Sequence, residues 1–345
     1  MALTAIFSRN EGAAPGARRR ALLEFTLDNL VWVVFVIAFA AFSLTIPNFF
    51  QVSILLNILE QSTFIGILAV GLTLVVICGE MDLSIESTMA LSAMASALLF
   101  GSNGAGLGLV IGNGFTTALL SILLALVIGG VVGFINAWLI VVWRINSFIV
   151  TLASFLWVRG LVVALSGGRS VYGMPDDIRW VAVNSFLGFP VLAWITGLTF
   201  LVFGIMLAKT PFGRHIIMVG GNAVAAYRAG IPVRRLMIIV FMLTGMIAGF
   251  TGWLLAARTS GATANLGTGM LFEVFAAVVI GGVSLKGGVG RLSGVIAGVL
   301  LLSSISTAIN VMGMPPHYTQ IIRGGLVLAA ILLDTVKTSL RRQIA

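Results

Sequence analysis

The chain has 345 residues, of which 59% are hydrophobic and only 9% are charged, and its mean hydropathy is +1.13. Soluble domains carry about 25% charged residues, so this composition excludes an ordinary soluble domain and indicates a membrane protein. The net charge is +9, but the cations stand between apolar runs, which indicates membrane topology and lipid contact, not nucleic-acid binding. Cys78 is the only cysteine. This excludes an intrachain disulfide and, with only two histidines, argues against a metal site.

The apolar runs have the length of membrane-spanning helices, which need about 20 residues each, and they lack the alternation of a barrel strand. We therefore predict an all-α, polytopic bundle of about ten transmembrane helices, at residues 28–46, 52–78, 84–101, 116–141, 147–166, 190–208, 236–257, 270–284, 293–311 and 319–336. The third and the eighth are short for a full crossing. Residues 1–27 and 337–345 then form tails around a transmembrane domain at 28–336.

The distribution of Lys and Arg predicts the orientation of this bundle. With the N-terminus in the cytoplasm, 15 cations fall on the cytoplasmic side and only 3, Arg169, Arg179 and Arg258, fall on the other. Positive residues prefer the cytoplasmic side. We therefore expect both tails and the loop 209–235 in the cytoplasm, and the loop 167–189 outside.

The stretch VVICGEMDLSIES, residues 75–87, places Glu80, Asp82 and Glu86 between two apolar runs. A charge at mid-membrane costs about 2.5–3.5 kcal/mol, so we predict a broken helix near 79–86. The break either faces protein or a water-filled path at the midplane, or lies at the cytoplasmic interface. Gly79 favours a chain reversal, and Asp82 or Ser84 can cap the next helix. Whether Asp82 only caps or also contacts solute stays open.

A second break is predicted near 281–291, in VVIGGVSLKGGVGRLSG, which resembles the first stretch and hints at an internal duplication. Its glycines and Lys286 do not form a phosphate-binding loop, because the Gly-Lys-Ser/Thr ending is missing. We therefore expect no cofactor on this chain, and any ATP must bind to a partner chain.

The loop 209–235 contains the stretch NAVAAYRAG, which predicts one short helix. Asn222 suits its N-cap, the alanines favour helix, and Gly230 suits its end. Such a helix is either a compact knob for another protein or an amphipathic helix on the lipid surface.

Polar residues inside the spans are expected either to line a translocation path or to make interhelical hydrogen bonds. Asn57 shares a helical face with Glu60 and Gln61, and we expect the carboxylates of Glu60 and Glu273 inside the bundle because they are costly in lipid. The path residues are predicted to be Asn57, Glu60, Gln61, Asp82, Ser84, Asn136, Glu273 and Asn310.

Three blocks carry a resemblance to a known family: GLTLVVICGEMDLSIES, GRHIIMVGGNAVAAYRAGI and FAAVVIGGVSLKGGVGRLSGVIAGVL. Together they resemble permease subunits of bacterial ABC importers, in the branch serving ribose and related sugars. The resemblance implies that the loop helix is a coupling helix, with coupling residues at Gly221, Asn222, Ala225, Ala226, Arg228, Gly230 and Ile231.

The resemblance also implies the partners and the location. These are an ATP-binding cassette subunit, a periplasmic or extracellular solute-binding protein, a second permease copy or a related chain, and a sugar-like solute. The chain would be a multi-pass protein of the bacterial inner membrane and not itself an enzyme. The sequence departs from the family pattern at Glu80 and Glu86, where glycines are expected. These carboxylates could pair with Arg159 or Arg323. They also leave open a polyol or a cationic solute as the transported molecule, in place of a sugar.

The main hypothesis is an ATP-driven importer permease that works by alternating access. The alternative is an ion-coupled secondary transporter that uses Glu60, Asp82, Glu86 or Glu273 as its coupling group. An intramembrane enzyme is less favoured, because neither a zinc-ligand cluster nor a nucleophile–base pair is visible in the sequence.

Overall fold

The computed structural model describes residues 29–315 and, beyond them, residues 318, 321, 322, 324, 325 and 328. Both predicted tails, at 1–27 and 337–345, lie outside the described residues, and so does Arg323. Only five residues of the tenth predicted span are described. The other nine predicted spans fall within the described part, apart from residue 28 at the start of the first.

The described part is mostly helical. Its twelve helices are α1 (Leu30–Thr45), α2 (Val52–Ile77), α3 (Ile85–Phe100), α4 (Gly114–Val142), α5 (Ser147–Ser166), α6 (Asp176–Val183), α7 (Val191–Lys209), α8 (Pro211–Gly221), α9 (Ala223–Arg228), α10 (Val233–Thr259), α11 (Met270–Ile280) and α12 (Leu292–Val311).

Four two-residue strands form two small antiparallel pairs. Strand β1 (Val171–Tyr172) pairs with β4 (Gly261–Ala262), and β2 (Ser185–Phe186) pairs with β3 (Phe189–Pro190). They tie connections between helices together and add no layer to the fold.

Six helices, α2, α4, α5, α7, α10 and α12, are long and apolar enough to cross a membrane. Three shorter apolar helices, α1, α3 and α11, accompany them. The prediction of an all-α membrane bundle is confirmed, and each of the first nine predicted spans contains a helix. The third and eighth spans correspond to the short helices α3 and α11, of 16 and 11 residues. Ten crossings remain a prediction.

Helix α2 is the centre of the bundle, and its residues from Ser62 to Ile77 are all buried. It contacts α10, α12, α7 and α11. A helix that is apolar on all sides is stable only when other elements surround it, and this helix meets that condition.

Glycines let α4 and α10 approach until their backbones touch. A Cβ atom added at Gly129 would lie 2.0 Å from the carbonyl oxygen of Gly245, and one added at Gly245 would lie 2.1 Å from that of Gly129. Close approach through small residues is typical of helix pairs in lipid. Gly129 and Gly245 therefore serve the packing of α4 against α10.

The two predicted breaks begin with the same backbone turn. After α2, Gly79 has φ +83°. The N–H of Gly79 donates a hydrogen bond to the carbonyl of Val76, and the N–H of Glu80 donates one to the carbonyl of Val75. After α11, Gly282 has φ +84°, with equivalent bonds from Gly282 to Val279 and from Val283 to Val278. Both turns are Schellman caps. The similarity of VVICG and VVIGG therefore corresponds to shared local structure.

Candidate functional site

The loop between α7 and α10 contains two helices, whereas the sequence predicted one. Helix α8 begins after Thr210, whose hydroxyl accepts a hydrogen bond from the N–H of Gly213 at 3.2 Å, and Pro211 occupies its first turn. This Thr-Pro start is a recognisable N-terminal signal that the sequence prediction missed. Helix α9 follows directly, so the loop is ordered throughout.

The two ends of α9 are capped as predicted. The side-chain oxygen of Asn222 accepts a hydrogen bond from the N–H of Ala225 at 2.9 Å. Gly230 has φ +86°, and the N–H of Ile231 bonds to the carbonyl of Ala226 at 3.1 Å. These caps fix a six-residue helix that would be too short to persist alone.

Helix α9 is anchored on one side and exposed on the other. Ala226 and Ile231 are buried, whereas Gly221, Asn222, Ala225, Arg228 and Gly230 are exposed. Two further residues dominate the exposed side and were not predicted as site residues: Val224 is 62% exposed and Tyr227 is 72% exposed. Their spacing of three places them on one face of a helix, which is the signal that could have identified them. We call this exposed side of Ala223–Arg228 the α9 knob.

The first break forms a buried hydrogen-bond chain. One carboxylate oxygen of Asp82 accepts from the N–H of Ser84 at 2.9 Å and from its hydroxyl at 2.6 Å. The side-chain amide of Asn136 on α4 donates to the hydroxyl of Ser84 at 2.9 Å. All three residues are buried. Asp82 therefore stabilises the turn that leads into α3, and the structure brings three predicted path residues together.

Helix α5 holds the same break from another side. The hydroxyl of Ser147 accepts a hydrogen bond from the N–H of Met81 at 3.3 Å. The hydroxyl of Thr151 donates one to the carbonyl of Met81, also at 3.3 Å. Asn136 lies six residues before the end of α4 at Val142, which is about 9 Å at 1.5 Å per residue. The break thus reaches into the bundle instead of lying on its surface.

Glu86 forms the second polar cluster, which joins three separate elements. Its side chain pairs with the guanidinium of Arg159 on α5 at 2.8 Å. Its other oxygen accepts hydrogen bonds from the N–H groups of Gly269 and Leu271, both at 3.0 Å. Of the pairings that the sequence left open for Glu80 and Glu86, the pair Glu86–Arg159 is observed, whereas Arg323 lies outside the described residues.

Arg159 completes this cluster by binding the irregular segment that precedes α11. It donates hydrogen bonds to the carbonyls of Ala264 and Leu266, both at 3.1 Å. Residues 263–269 lead into α11, whose 11 residues span only about 16 Å. Non-helical backbone at membrane depth requires partners inside the protein. We call the pair Glu86–Arg159 with its bonds to residues 264–271 the clamp.

The other predicted path residues lie elsewhere. At the start of α2, the Gln61 amide donates to the Asn57 side chain at 2.6 Å, and Glu60 pairs with Arg258 at 2.8 Å. The side chain of Glu60 is 28% exposed, so it is only partly enclosed by the bundle. Asn310 is exposed at the end of α12. This end of α12 lies beside the start of α2, since Ala308 packs there with Ile46, Phe49 and Ile58.

Glu273 is buried in the first turn of α11, as expected from its cost in lipid. Glu80 is half-buried beside the first break. A groove of about 570 Å³ between α2, α7 and α12 is lined mainly by apolar side chains, including Phe200, Leu201 and Val299. Its polar lining residues are Ser62, Thr196, Lys209 and Ser293, and the hydroxyls of Ser62 and Thr196 already donate hydrogen bonds to backbone carbonyls of their own helices. In the described residues, no group of three or more His, Cys, Asp or Glu could hold a metal ion.

Comparison with known proteins agrees with this architecture. Residues 54–331 match the family described as the branched-chain amino acid transport system permease component. The chain is 38% identical to the L-arabinose ABC transporter permease protein of Azospirillum brasilense over 97% of this chain and 95% of that protein. It is 34% identical to the ribose import permease protein of Escherichia coli strain K12, over 93% and 97% of the two chains.

The ribose import permease protein of Bacillus subtilis strain 168 is also 34% identical, over 85% of this chain and 88% of that protein. No solved structure matches the chain significantly. The matched segment contains both breaks, the α9 knob and the clamp. The chain therefore belongs to the family of the branched-chain amino acid transport system permease component, together with the ribose and L-arabinose ABC transporter permeases.

Proposed function

We propose that the chain is the membrane-spanning permease subunit of an ATP-driven importer for a sugar or a similar small polar solute. The observation that carries this proposal is the similarity, over nearly the whole chain, to permeases named for ribose and L-arabinose import. A transport subunit of this kind performs no covalent chemistry itself. The alternative of an ion-coupled secondary transporter is not favoured by these relatives.

The α9 knob supports a separate energy source. A short helix with firm caps, a buried anchor at Ala226 and exposed Val224 and Tyr227 suits docking into a groove of a folded partner. Val224 and Tyr227 also place two large side chains next to each other on the exposed face of a rigid helix, which suits a contact with another protein. We propose that an ATP-binding subunit covers the α9 knob, with the exposed coupling residues Gly221, Asn222, Ala225, Arg228 and Gly230 at the contact and the buried Ala226 and Ile231 anchoring the helix behind them.

Alternating access then follows from the position of the breaks. ATP-driven closure of the partner subunits would push α9 and shift the broken helices, so that the cavity of the bundle faces the other side. The predicted residues Asn57, Glu60, Gln61, Asp82, Ser84, Asn136, Glu273 and Asn310 are proposed for the path. A solute-binding protein would deliver the solute, and a second permease copy or a related chain would complete the pore.

The test is reconstitution into sealed vesicles with an ATP-binding subunit and a solute-binding protein encoded beside this chain. We expect uptake of labelled ribose, L-arabinose or a related polyol to require ATP inside the compartment that contains the knob. Uptake should persist when an ionophore collapses ion gradients. Uptake that persists without ATP but stops with the ionophore would contradict the proposal.

A further inference from the structure

Three glycine-containing segments meet beside the coupling loop. They are the end of α2 at Ile77 to Gly79, the end of α8 at Gly220, and the second break at Gly287 and Gly288. The N–H of Gly288 donates a hydrogen bond to the carbonyl of Ile77 at 2.8 Å. We call the contact between Ile77, Gly79, Gly220, Gly287 and Gly288 the glycine junction.

The junction is a contact between backbones. A Cβ atom added at Gly220 would lie 1.7 Å from the carbonyl oxygen of Ile77 and 2.6 Å from the nitrogen of Gly288. One added at Gly287 would lie 2.7 Å from the carbonyl oxygen of Gly220 and 2.7 Å from the Cα of Gly79. Real Cβ atoms do not approach other atoms so closely, so the junction has no room for a side chain at Gly220 or at Gly287.

The close contact, and not the backbone conformation, requires a glycine at position 220. It lies in the last turn of α8 (Pro211–Gly221), and its φ is not positive. Glycine in a helix is less favourable than alanine by about 1 kcal/mol. This lower helix stability occurs at a position where the methyl group of an alanine would collide with α2.

Each segment of the junction belongs to a different moving part of the proposed mechanism. Gly220 precedes Asn222, the N-cap of α9, by two residues. Ile77 ends the central helix α2, and residues 281–291 connect the short helix α11 to α12. A displacement of α9 therefore reaches α2 and the α11–α12 connection through one contact.

Backbone contact suits the transmission of a displacement. A long side chain can change rotamer and absorb a shift, whereas close-packed backbones resist compression and transmit strain. At Gly220, Gly287 and Gly288 the three segments meet backbone to backbone, so the contact has no flexible side chain that could absorb a shift.

We propose that the glycine junction carries the motion of the coupling helix α9 to both broken helices, so that Gly220 and Gly287 are positioning residues of the transport cycle. This inference rests on the proposed function. It assigns a route for the energy of the partner subunit, and it predicts which glycines are required for coupling.

The decisive experiment measures solute transported per ATP hydrolysed by the assembled complex carrying Gly220→Ala. We expect ATP hydrolysis at the rate of the unchanged complex, with solute transport lower by roughly tenfold or more, as overpacking of a close contact predicts. The control is Gly204→Ala in α7, where an added Cβ meets no atom within 4 Å, and its ratio of solute to ATP should be unchanged.

A ratio for Gly220→Ala equal to that of the control would overturn the inference. An equal loss of hydrolysis and transport in a correctly assembled complex would overturn it too, because that pattern indicates general damage. Failure of the proposed function appears differently, since the unchanged chain would then show no ATP-dependent uptake.

A second pair of variants covers the case in which Gly220→Ala does not assemble. Gly288→Ala is the milder change, with its nearest atoms at 2.8 Å on Gly221, and Gly288 has φ +73°. Gly188→Ala is the matched control, because Gly188 has φ +79° and an added Cβ meets no atom within 4 Å. We expect a lowered ratio of solute to ATP only for Gly288→Ala, and equal ratios would reject the junction as a coupling route.

Discussion

At the scale of single residues, two Arg–Glu pairs with the same separation differ in their surroundings. Arg159–Glu86 and Arg258–Glu60 both have a nitrogen–oxygen distance of 2.8 Å. The side chain of Glu86 is 3% exposed and accepts two backbone N–H groups, whereas that of Glu60 is 28% exposed. Burial and backbone bonds therefore make Glu86 the structural centre of its cluster.

Neutralising these two carboxylates should affect stability unequally. Removing one partner of a buried pair costs about 3–5 kcal/mol, whereas half-exposed pairs contribute about 0–1 kcal/mol. We expect Glu86→Gln to lower the thermal unfolding midpoint of the purified chain clearly, and Glu60→Gln to lower it little. Similar midpoints for the two variants would show that the clamp does not stabilise the bundle.

Exchanging the charges of the clamp separates an ion pair from a backbone clamp. The double variant Glu86→Arg, Arg159→Glu keeps opposite charges but places a guanidinium against the N–H groups of Gly269 and Leu271. We expect it to unfold at least as readily as Glu86→Gln, because donors then face donors. Recovery of the original midpoint would mean that only the charge pair matters.

At the scale of elements, the two breaks share a cap that depends on glycine. Gly79 and Gly282 have φ of +83° and +84°, a left-handed conformation that costs other residues about 1–2 kcal/mol. We expect Gly79→Ala and Gly282→Ala each to lower the unfolding midpoint by a comparable amount. Gly197→Ala in α7, where an added Cβ meets no atom within 4 Å, is the control and should not lower it.

The ends of elements show which features the sequence can predict. Asn222 and Gly230 were identified from the sequence because each acts on backbone groups within a few residues. The partners of Glu86 were harder to predict from the sequence, since Arg159 is 73 residues away and Gly269 is 183 residues away. The contacts of the irregular segment 263–269 were not predicted for the same reason, because they come from Glu86 on α3 and Arg159 on α5.

At the scale of the whole molecule, composition and apolar run length were enough to predict a helical membrane bundle and its short third and eighth helices. They could not show which of 41 glycines bring backbones into contact, because that depends on which distant segment packs against each glycine. Gly197 and Gly220 illustrate this, since only Gly220 meets another backbone within 4 Å.

The orientation of the bundle can be tested with single cysteines, because the native Cys78 is buried. Ala223→Cys lies on the α9 knob and Ser185→Cys on the opposite connection, and both positions are exposed. We expect a membrane-impermeant maleimide to label Ser185→Cys in intact cells and Ala223→Cys only in inverted vesicles. The unchanged chain controls for Cys78, and the reverse labelling pattern would contradict the predicted topology.

The most direct measurement of the central claim, that the α9 knob receives energy from a separate ATP-binding subunit, compares two valine variants in the reconstituted complex. Val224→Asp alters the knob, where the valine is 62% exposed, and Val183→Asp makes the same change at the end of α6, where it is 53% exposed. We predict that Val224→Asp abolishes ATP-driven uptake while Val183→Asp retains it. Equal uptake by the two variants would contradict the claim.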